Sequence, residues 1–394
     1  MKEQNKNLNI GVFFGSRSPE HDVSIITGQL IISELKKLGY NVVPVYLNKD
    51  GEWFADERLG SLKFFTNPQK DVELKEMKPC KLELAAKGRM VFKKEGMFSQ
   101  EVVIDIAFPA FHGTNGEDGT IQGLFELMSI PYVGCDVLSS ALAMDKAATK
   151  MMYRSEGIPT AKFMHFSFHE WEKGKSAVLA EIDKLIWPIF VKPARLGSSI
   201  GITKVKNRDE LENACEIALH YDDKVIVEES VENMSDITCA VLGNDDPVAS
   251  LVQEAVFSGD HFNYEDKYLE NGGAQLGNAQ SSLVIPADLS AEKTKEVQDM
   301  AVAIFKLCGC SGIARIDFLY NKETQAVYAN EINTMPGTLY HHLWKKSGIE
   351  IGELLEKLIA FAQEKQEIKN KITLTFQSDL LKFANSVKLK IDKE

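Results

Sequence analysis

The sequence predicts an α/β protein whose N-terminal part is a doubly wound sheet, and three observations lead to this fold class. Residues 8–47 predict a strand, a glycine-containing turn, a helix and a second strand, the order in which such a sheet begins. A glycine- and serine-rich loop at 193–201 separates two short apolar strands. Two apolar runs, 313–319 and 326–332, are joined by a polar turn and predict an antiparallel pair. At 394 residues, the chain exceeds the usual size of one domain.

The individual elements follow from the apolar period and from the glycine or proline residues that interrupt it. The predicted elements are, in order, a strand at 8–14, a helix at 23–38, strands at 41–47 and 102–108, helices at 120–128 and 139–156, strands at 189–192 and 202–205, a helix at 209–220 and a strand at 224–228. The charge-rich stretch at 49–99 lacks a clear period and predicts a peripheral hairpin insertion. A short amphipathic piece at 380–387 lies in the lysine-rich C-terminal stretch.

Composition and charge exclude several classes of function. The formal net charge of −12 argues against a nucleic-acid partner, because phosphate backbones require a basic protein face. No run approaches the roughly 18 apolar residues of a membrane span, and the polar start has no apolar signal-peptide core. The six cysteines lack zinc spacing, and we interpret most of them as small buried hydrophobic residues. We therefore expect a cytoplasmic protein with neither a nucleic-acid nor a membrane partner.

The predicted strand pair near the C-terminus carries a candidate metal site. Asp317 and Glu331 lie on the two strands, with Asn333 two residues beyond Glu331 and Arg315 two residues before Asp317. Carboxylate and amide oxygens suit Mg²⁺, which usually keeps substrate phosphates in its shell. The alternative is a solvated hairpin face without a ligand.

Lysines near the glycine-rich loop are candidates for binding an anion. Lys192 closes an apolar strand immediately before the loop, and the small residues at 197–201 allow backbone N–H groups to turn toward phosphate oxygens. The loop differs from a Walker motif because its lysine precedes the glycines. The alternatives are a plain hairpin turn and, for Lys192 and Lys146, structural salt bridges with buried acidic partners.

Two turns follow strands of the predicted N-terminal sheet, at 15–24 and 112–119. Because α/β proteins bind ligands at one edge of the sheet, we expect both turns to line one pocket. Glu20 stands near a helix start and is a candidate for binding a substrate ammonium group, or it belongs to an ordinary N-terminal capping cluster.

Three further features are weaker candidates. Glu228, Glu229 and Asp236 offer carboxylates to nucleoside hydroxyl or amino groups, or are solvated at a strand end. The long polar segment 258–280 predicts a lid that carries Lys267 and Tyr268, or a disordered loop. Adjacent histidines form a poor chelate, so we interpret His341 and His342 as pocket or surface residues.

Taken in chain order, these residues resemble the D-alanine–D-alanine ligase family of ATP-grasp enzymes over about residues 9–358. The motifs that carry the resemblance are Glu-His-Asp-Val-Ser at 20–24, His-Gly-Thr-Asn-Gly-Glu-Asp-Gly-Thr-Ile-Gln-Gly at 112–123, Met-Asp-Lys at 144–146, Lys-Pro at 192–193, Gly-Ser-Ser-Ile-Gly at 197–201, Tyr-Glu-Asp-Lys-Tyr at 264–268, Arg-Ile-Asp at 315–317 and Asn-Glu-Ile-Asn-Thr-Met-Pro-Gly at 330–337. The ordered series is highly specific for the superfamily.

The resemblance implies an α/β, three-domain ATP-grasp enzyme that acts on small amino-acid substrates. ATP would phosphorylate the carboxylate of a first D-amino acid, and the amine of a second would attack the acyl phosphate. The implied domains are an N-terminal substrate-binding domain at 1–134, a central ATP-grasp lid at 135–232, a C-terminal ATP-grasp catalytic domain at 233–366 and a tail at 367–394. Family members are commonly homodimers, so a homodimer is expected.

The resemblance also implies a role for each candidate residue. ATP would be bound through its phosphates by Lys146, Lys192, Gly197, Ser199 and Lys267 of the lid, through adenine by Glu228, Glu229 and Val231, and through ribose by Asp236. Two Mg²⁺ ions, for which Mn²⁺ could substitute, would be held by Asp317, Glu331 and Asn333, and charge on the transferring phosphoryl group would be stabilised by Arg315. The first substrate would be oriented by Glu20 and His112 and linked to the closed lid by Ser198 and Tyr268, and substrate would also contact Gly337 and His342.

The chain departs from the family pattern mainly after Gly337. The family usually continues with Thr, Ser and a second Ser that binds the carboxylate of the second substrate, whereas residues 338–344 here are Thr-Leu-Tyr-His-His-Leu-Trp. His342 aligns near that second Ser; upstream, Leu196 and Ala194 replace a frequent Glu and Ser. The prediction is a ligase that joins D-alanine twice for peptidoglycan precursors. The alternatives are a ligase with D-serine, D-lactate or another amino acid as acceptor, and a nucleotide-binding regulatory protein without ligase activity.

Overall fold

The computed structural model describes residues 5–83, 88–94, 101–255 and 283–380, and it contains three β-sheets flanked by helices. The strands are β1 Asn9–Gly15, β2 Asn41–Leu47, β3 Trp53–Ala55, β4 Cys80–Glu83, β5 Met90–Lys94, β6 Glu101–Ile104, β7 Ile106–Pro109, β8 Phe163–Ser167, β9 Ile189–Pro193, β10 Thr203–Val205, β11 Lys224–Glu229, β12 Met234–Gly243, β13 Val248–Ala255, β14 Leu283–Val284, β15 Gly312–Asn321 and β16 Val327–Asn333. The α-helices are α1 His21–Lys37, α2 Leu62–Phe65, α3 Lys70–Met77, α4 Thr120–Leu127, α5 Val137–Met144, α6 Lys146–Ser155, α7 Phe168–Ile182, α8 Arg208–Tyr221, α9 Ala291–Leu307, α10 His341–Lys346 and α11 Ile351–Lys369. Two 3₁₀ turns cover Glu57–Gly60 and Gly337–Tyr340.

The first sheet has the strand order β6-β5-β4-β3-β2-β1-β7, and β1 pairs in parallel with both β2 and β7. The predicted order of strand, helix and strand at its start is confirmed. The stretch 49–99 was predicted to be a peripheral hairpin insertion. Its described residues instead form β3, β4 and β5, which extend the first sheet, and the short helices α2 and α3. The single strand predicted at 102–108 is two strands, β6 and β7, and Asp105 between them accepts a hydrogen bond from Asn9 N at 2.9 Å.

The second sheet, β10-β9-β11-β8, is antiparallel and is packed against α7 and α8. The helix predicted at 139–156 is broken into α5 and α6 by Asp145, whose backbone is extended (φ −90°, ψ 99°). The Asp145 carboxylate accepts a hydrogen bond from Ala148 N at 3.0 Å and so caps α6. Lys146 is therefore the first residue of a new helix, where its side chain reaches the glycine-rich loop.

The third sheet, β14-β13-β12-β15-β16, is antiparallel and carries the predicted strand pair at its end. Helix α11 and the segment before it share one hydrophobic core with the first sheet, in which Trp344 and Leu358 pack with Ile31 and Leu35. This common core sets residues 335–344 against α1, so the first and third sheets together shape the same site.

No helix in the described part of the chain has the length and apolarity needed to cross a membrane. Helix α11 continues to Lys369, beyond the predicted start of the tail at 367. The amphipathic piece predicted at 380–387 lies almost entirely outside the described residues.

Candidate active site

The strand pair β15 and β16 brings together the acidic residues that the sequence singled out. Asp317 lies directly opposite Glu331, and Arg315 lies opposite Asn333. Arg315 donates through Nε to both Asp317 oxygens at 2.9 and 3.0 Å, and Thr238 Oγ1 donates to Asp317 Oδ1 at 3.0 Å. The predicted antiparallel strand pair is thus confirmed, and its polar side chains face a cleft rather than bulk solvent.

Asp317, Glu331 and Asn333 are chemically suited to a divalent cation such as Mg²⁺. All three can offer hard oxygen atoms, and Asn333 lies beside Asp317, with Nδ2 at 3.2 Å from Oδ2. A half-turn of the Asn333 amide exchanges its nitrogen for its oxygen, so the same side chain can serve as a ligand. Within the described residues, no group of three or more His, Cys, Asp or Glu could hold a metal ion, so a site here depends on the amide.

Arg315 places a permanent positive charge beside this acidic set. Its side chain is buried, and its guanidinium lies 5.0 Å from the centre of the Tyr340 ring. Burial opposes its charge, but the adjacent Asp317 outweighs that effect and keeps the pKa of Arg315 above its ordinary value. The guanidinium therefore stays protonated at any physiological pH.

The predicted lysines form two ion pairs around the cleft. Lys146 Nζ lies 3.4 Å from Glu331 Oε2 and donates to the backbone oxygen of Leu196 at 2.8 Å. Lys192 Nζ donates to Glu228 Oε2 at 2.5 Å. Both contacts tie the glycine-rich loop and its strand to acidic residues, and both cations stand where an anionic ligand would contact them.

Lys150 is a buried cation that the sequence analysis missed. It is completely buried in α6, and its Nζ lies 2.7 Å from Glu228 Oε1, on the other side of the carboxylate from Lys192. Burial disfavours the ionised form of Glu228, yet the two lysines outweigh burial and lower the pKa of Glu228 to about 2. The position of Lys150, one helical turn after Lys146, is the sequence signal that could have found it.

A large cleft encloses about 1100 Å³ of space between the second and third sheets. Its walls include all the described residues predicted to bind nucleotide, which are Lys146, Lys192, Gly197, Ser199, Glu228, Glu229, Val231 and Asp236. Phe190, Met234 and Leu319 add apolar surface on which a planar base could lie. In the glycine-rich loop, Ser198 and Ser199 have positive φ values of 54° and 59°. The predicted grouping of these residues is reproduced, whereas their individual contacts with ATP stay predictions.

A smaller cleft of about 530 Å³ adjoins the large one and is lined by Glu20 and Gly113 from the two predicted turns. Ser198 donates its hydroxyl hydrogen to Glu20, which joins the glycine-rich loop to the N-terminal part of the chain. Five residues line both clefts: Lys146, Gly197, Ser198, Arg315 and Glu331. The two spaces therefore meet at the charged residues.

Glu117 is a second carboxylate in the smaller cleft, and the sequence analysis gave it no role. It accepts hydrogen bonds from Gly113 N at 2.7 Å and Met335 N at 3.3 Å. Burial, followed by the nearby negative charge of Glu20, raises the pKa of Glu117 to about 8. Its position within the motif at 112–123 was the available signal.

Three predicted substrate residues lie behind the clefts rather than on their walls. Among the described residues, neither cleft is lined by His112, Gly337 or His342. His112 Nε2 lies 2.8 Å from Thr27 Oγ1, and His342 Nε2 lies 2.8 Å from Gln253 Oε1. Any influence of the two histidines on substrate would thus pass through their neighbours in this arrangement, and their predicted direct contacts stay untested.

Lys267, Tyr268 and the predicted lid at 258–280 lie outside the described residues.

Two family models match the chain. The model described as D-ala D-ala ligase N-terminus matches residues 9–135, and the one described as D-ala D-ala ligase C-terminus matches residues 152–360. The chain belongs to the D-alanine–D-alanine ligase family. This membership carries the ATP-grasp fold, the use of ATP and, in general, Mg²⁺.

Known members of the family resemble the chain over nearly its whole length. The D-alanine–D-alanine ligase of Geobacillus thermodenitrificans is 40% identical over 375 residues, which cover 93% of this chain and 99% of the relative. The structure of the D-alanine–D-alanine ligase from Coxiella burnetii has a TM-score of 0.76 and 30% identity, and the match covers 96% and 98% of the two chains. The VanG D-Ala:D-Ser ligase from Enterococcus faecalis has a TM-score of 0.75 and 34% identity, with coverage of 90% and 99%.

Proposed function

We propose that the protein is an ATP-dependent ligase that joins two D-alanine molecules to make a precursor of peptidoglycan. The observation that carries the proposal is the meeting of the two clefts at Lys146, Gly197, Ser198, Arg315 and Glu331. A nucleotide in the large cleft and an amino acid in the small one would meet at these residues. The γ-phosphate and the carboxylate that receives it would then be neighbours.

The large cleft is suited to holding ATP with its phosphates toward this junction. Phe190, Met234 and Leu319 offer an apolar bed for the base, and Asp236 lines the same space for the ribose hydroxyls. Lys146 and Lys192 would bind phosphate oxygens, assisted by backbone N–H groups of the glycine-rich loop. Because both lysines are already held by Glu331 and Glu228, they are positioned before ATP arrives.

Asp317, Glu331 and Asn333 would hold two Mg²⁺ ions, or Mn²⁺ in their place. Bound there, the ions would neutralise charge on the phosphates during transfer. Arg315 adds a fixed cation on the side of the smaller cleft, where negative charge develops on the phosphoryl group. Asp317 holds that guanidinium in one orientation through its hydrogen bonds with Nε.

The smaller cleft is suited to the first D-alanine. Glu20 would accept hydrogen bonds from its ammonium group, and Ser198 holds Glu20 in place. A carboxylate oxygen of this substrate attacks the γ-phosphorus, and ADP leaves. The amine of the second D-alanine then attacks the acyl carbon and loses a proton as inorganic phosphate departs. Without the acyl phosphate, an oxide ion would have to leave, which is far less favourable.

D-alanine is the acceptor favoured by the relatives. Eight curated relatives share 37–40% identity with the chain, and all carry the name D-alanine–D-alanine ligase. A ligase with another acceptor and a regulatory protein without ligase activity are both less favoured. Retention of Lys192, Arg315, Asp317, Glu331 and Asn333 also argues against the regulatory alternative, since a pure binder does not require this whole set.

We further propose the three-domain division at residues 134 and 232, with a tail from 367, and a cytoplasmic homodimer. In support, the three sheets occupy residues 9–109, 163–229 and 234–333, so each lies within one of these segments. A cytoplasmic location agrees with a reaction that consumes ATP.

A substrate panel tests the proposed activity. Purified protein is mixed with ATP, Mg²⁺ and pairs of D-amino acids or D-hydroxy acids, ADP release is followed, and the product is identified by mass. We expect ADP release with D-alanine alone and a product of the mass of D-alanyl-D-alanine. A mixed product formed in preference would replace D-alanine as the acceptor, and no ADP release with any pair would overturn the ligase proposal.

A further inference from the structure

The segment that follows the magnesium-site strand is held by residues from the opposite end of the chain. Thr338 N donates to Thr27 Oγ1 at 3.1 Å across 311 positions of sequence. Met335 N donates to Glu117 Oε1 at 3.3 Å. Both contacts fix the backbone of the segment, so they are independent of which side chains it carries.

Thr27 continues this contact into a directed chain of hydrogen bonds. Its hydroxyl oxygen accepts from Thr338 N–H and lies 2.8 Å from His112 Nε2, so the hydroxyl donates to that nitrogen when the ring proton is on Nδ1. His112 also bonds the backbone of Met335. Burial, reinforced by the positive charge of Arg315, lowers the pKa of His112 to about 4, so the ring is neutral. In a neutral histidine ring, one nitrogen donates a hydrogen bond and the other accepts one. If Nε2 accepts from Thr27, the ring proton is on Nδ1, and Nδ1 donates to the Met335 backbone oxygen.

The segment requires such support because its backbone is unusual. Thr338, Leu339 and Tyr340 have φ values of 48°, 56° and 50°, three successive non-glycine residues in the left-handed region. The left-handed conformation of a non-glycine residue costs free energy, so it is retained only where surrounding contacts stabilise it. Thr27, His112 and Thr338 are all buried, so water cannot replace the hydrogen bonds that connect them.

The turn 337–340 lies where the two clefts approach each other. Thr334 lines the smaller cleft and Tyr340 lines the larger one, with the turn between them. Tyr340 in turn packs on Arg315 at 5.0 Å and accepts a hydrogen bond from Gln253 Nε2 at 3.3 Å. A shift of the turn would therefore move Tyr340, which lines the larger cleft beside Arg315 at the junction that the second amino acid must reach in the proposed reaction.

We propose that Thr27 is a positioning residue for the acceptor amino acid, because it holds the turn 337–340 through Thr338 N–H and through His112. This inference rests on the proposed ligase function for its substrate, although the hydrogen-bond chain itself does not. Thr27 lines neither described cleft, so it acts on substrate through the turn.

Two substitutions, one that removes the hydroxyl group of Thr27 and one that keeps it, test the proposal by kinetics. Thr27→Val keeps the shape of the side chain and removes the hydroxyl, whereas Thr27→Ser keeps the hydroxyl and removes a methyl group. We expect Thr27→Val to raise the KM for the acceptor D-alanine roughly 10-fold, the effect of one lost buried hydrogen bond, with the KM for ATP nearly unchanged. Thr27→Ser should retain the wild-type acceptor KM. An unchanged acceptor KM in Thr27→Val, or an equal rise in both KM values, overturns the proposal.

The tautomer of His112 gives a second measurement that does not depend on activity. ¹⁵N NMR of the histidine rings, assigned with His112→Gln, should show His112 protonated at Nδ1 in the wild type and in Thr27→Ser. Thr27→Val should shift the Nε2 resonance because its donor is gone. A ring protonated at Nε2 in the wild type overturns the hydrogen-bond chain. If the wild type shows the expected tautomer but makes no dipeptide, the proposed function fails while the hydrogen-bond chain stands.

Discussion

The two sides of the junction between the clefts are built by different means. On the phosphate side, charged residues are fixed by the register of paired strands and by ion pairs, such as Asp317 opposite Glu331 and Glu228 between two lysines. On the proposed acceptor side, the turn 337–340 has left-handed backbone, and backbone N–H groups hold it by donating from Thr338 to Thr27 and, just before the turn, from Met335 to Glu117.

In the proposed function, this difference separates the residues for phosphoryl transfer from those for the choice of acceptor. Side chains on the phosphate side are paired with one another, so replacing one leaves a partner uncompensated in a buried setting. On the acceptor side, the backbone is held by other parts of the chain, and the side chains at 338–342 can differ from the family pattern without loss of the turn. Tyr340 and His342, where this chain departs from the family pattern, both lie on this side, so the departure leaves the paired side chains of the phosphate side unchanged.

The largest expected effect comes from neutralising a phosphate-side carboxylate. Glu331→Gln should lower kcat by about 100-fold or more, because it removes charge from the proposed metal site and from the partner of Lys146. ADP release with saturating substrates measures this, and thermal unfolding checks that the fold is intact. Glu323→Gln, on the exposed turn of the same hairpin, is the matched control and should keep full activity. Equal activity in both variants would remove Glu331 from the metal site.

A stability effect is expected from the buried lysine on the same side. Lys150→Met keeps most of the side-chain volume but leaves Lys192 as the remaining ion-pair partner of Glu228 among the described residues. Breaking a buried pair in this way should lower the free energy of unfolding by about 3 kcal/mol.

Urea unfolding measures this change, with Lys306→Met on an exposed face of α9 as the control. A loss no larger than that of the control would mean that Glu228 is satisfied by Lys192 alone.

The phosphate side could be predicted from the sequence because its geometry is local. A polar turn between two apolar runs fixes the hairpin, and the period of two along each strand then brings Asp317 and Glu331 to one face. Lys192 and the glycine-rich loop are adjacent in the chain for the same reason. Lys150 escaped notice because the helix that carries it was predicted as part of one longer helix, whereas Asp145 ends one helix and starts the next.

The acceptor side could not be predicted because its contacts are distant in sequence. The sequence near Thr27 does not indicate that its hydroxyl accepts a hydrogen bond from Thr338 N. The motif around Gly337 does not predict three successive residues with left-handed backbone. The alignment of His342 with a Ser predicts a substrate contact, which stays a prediction, but it gave no indication that the ring is hydrogen-bonded to Gln253. A resemblance transfers residue positions, whereas the direction of a side chain depends on packing that only the folded chain provides.

The smallest expected effect distinguishes the two sides by pH. Burial lowers the pKa of His342 from 6.5 to about 4, so its neutral form is favoured in the folded state. Between pH 6.5 and pH 4, His342 is protonated in the unfolded chain but neutral in the folded chain. The free energy of unfolding therefore falls as the pH falls through this range. Glu228, with its pKa lowered from 4.5 to about 2, begins to lose its contribution only below pH 4.5.

Between pH 7 and pH 5.5, therefore, a loss of stability arises at the neutral histidines and not at the Glu228 ion pairs. For His342 this loss should be about 1 kcal/mol, and His342→Asn should reduce the pH dependence of the wild type by that amount. His220→Asn, on an exposed helix surface, serves as the matched substitution. Urea unfolding at the two pH values gives the measurement. If His342→Asn leaves the pH dependence of stability as it is in the wild type, then His342 is charged or solvated at neutral pH. In that case, water reaches the His342 ring despite its hydrogen bond to Gln253.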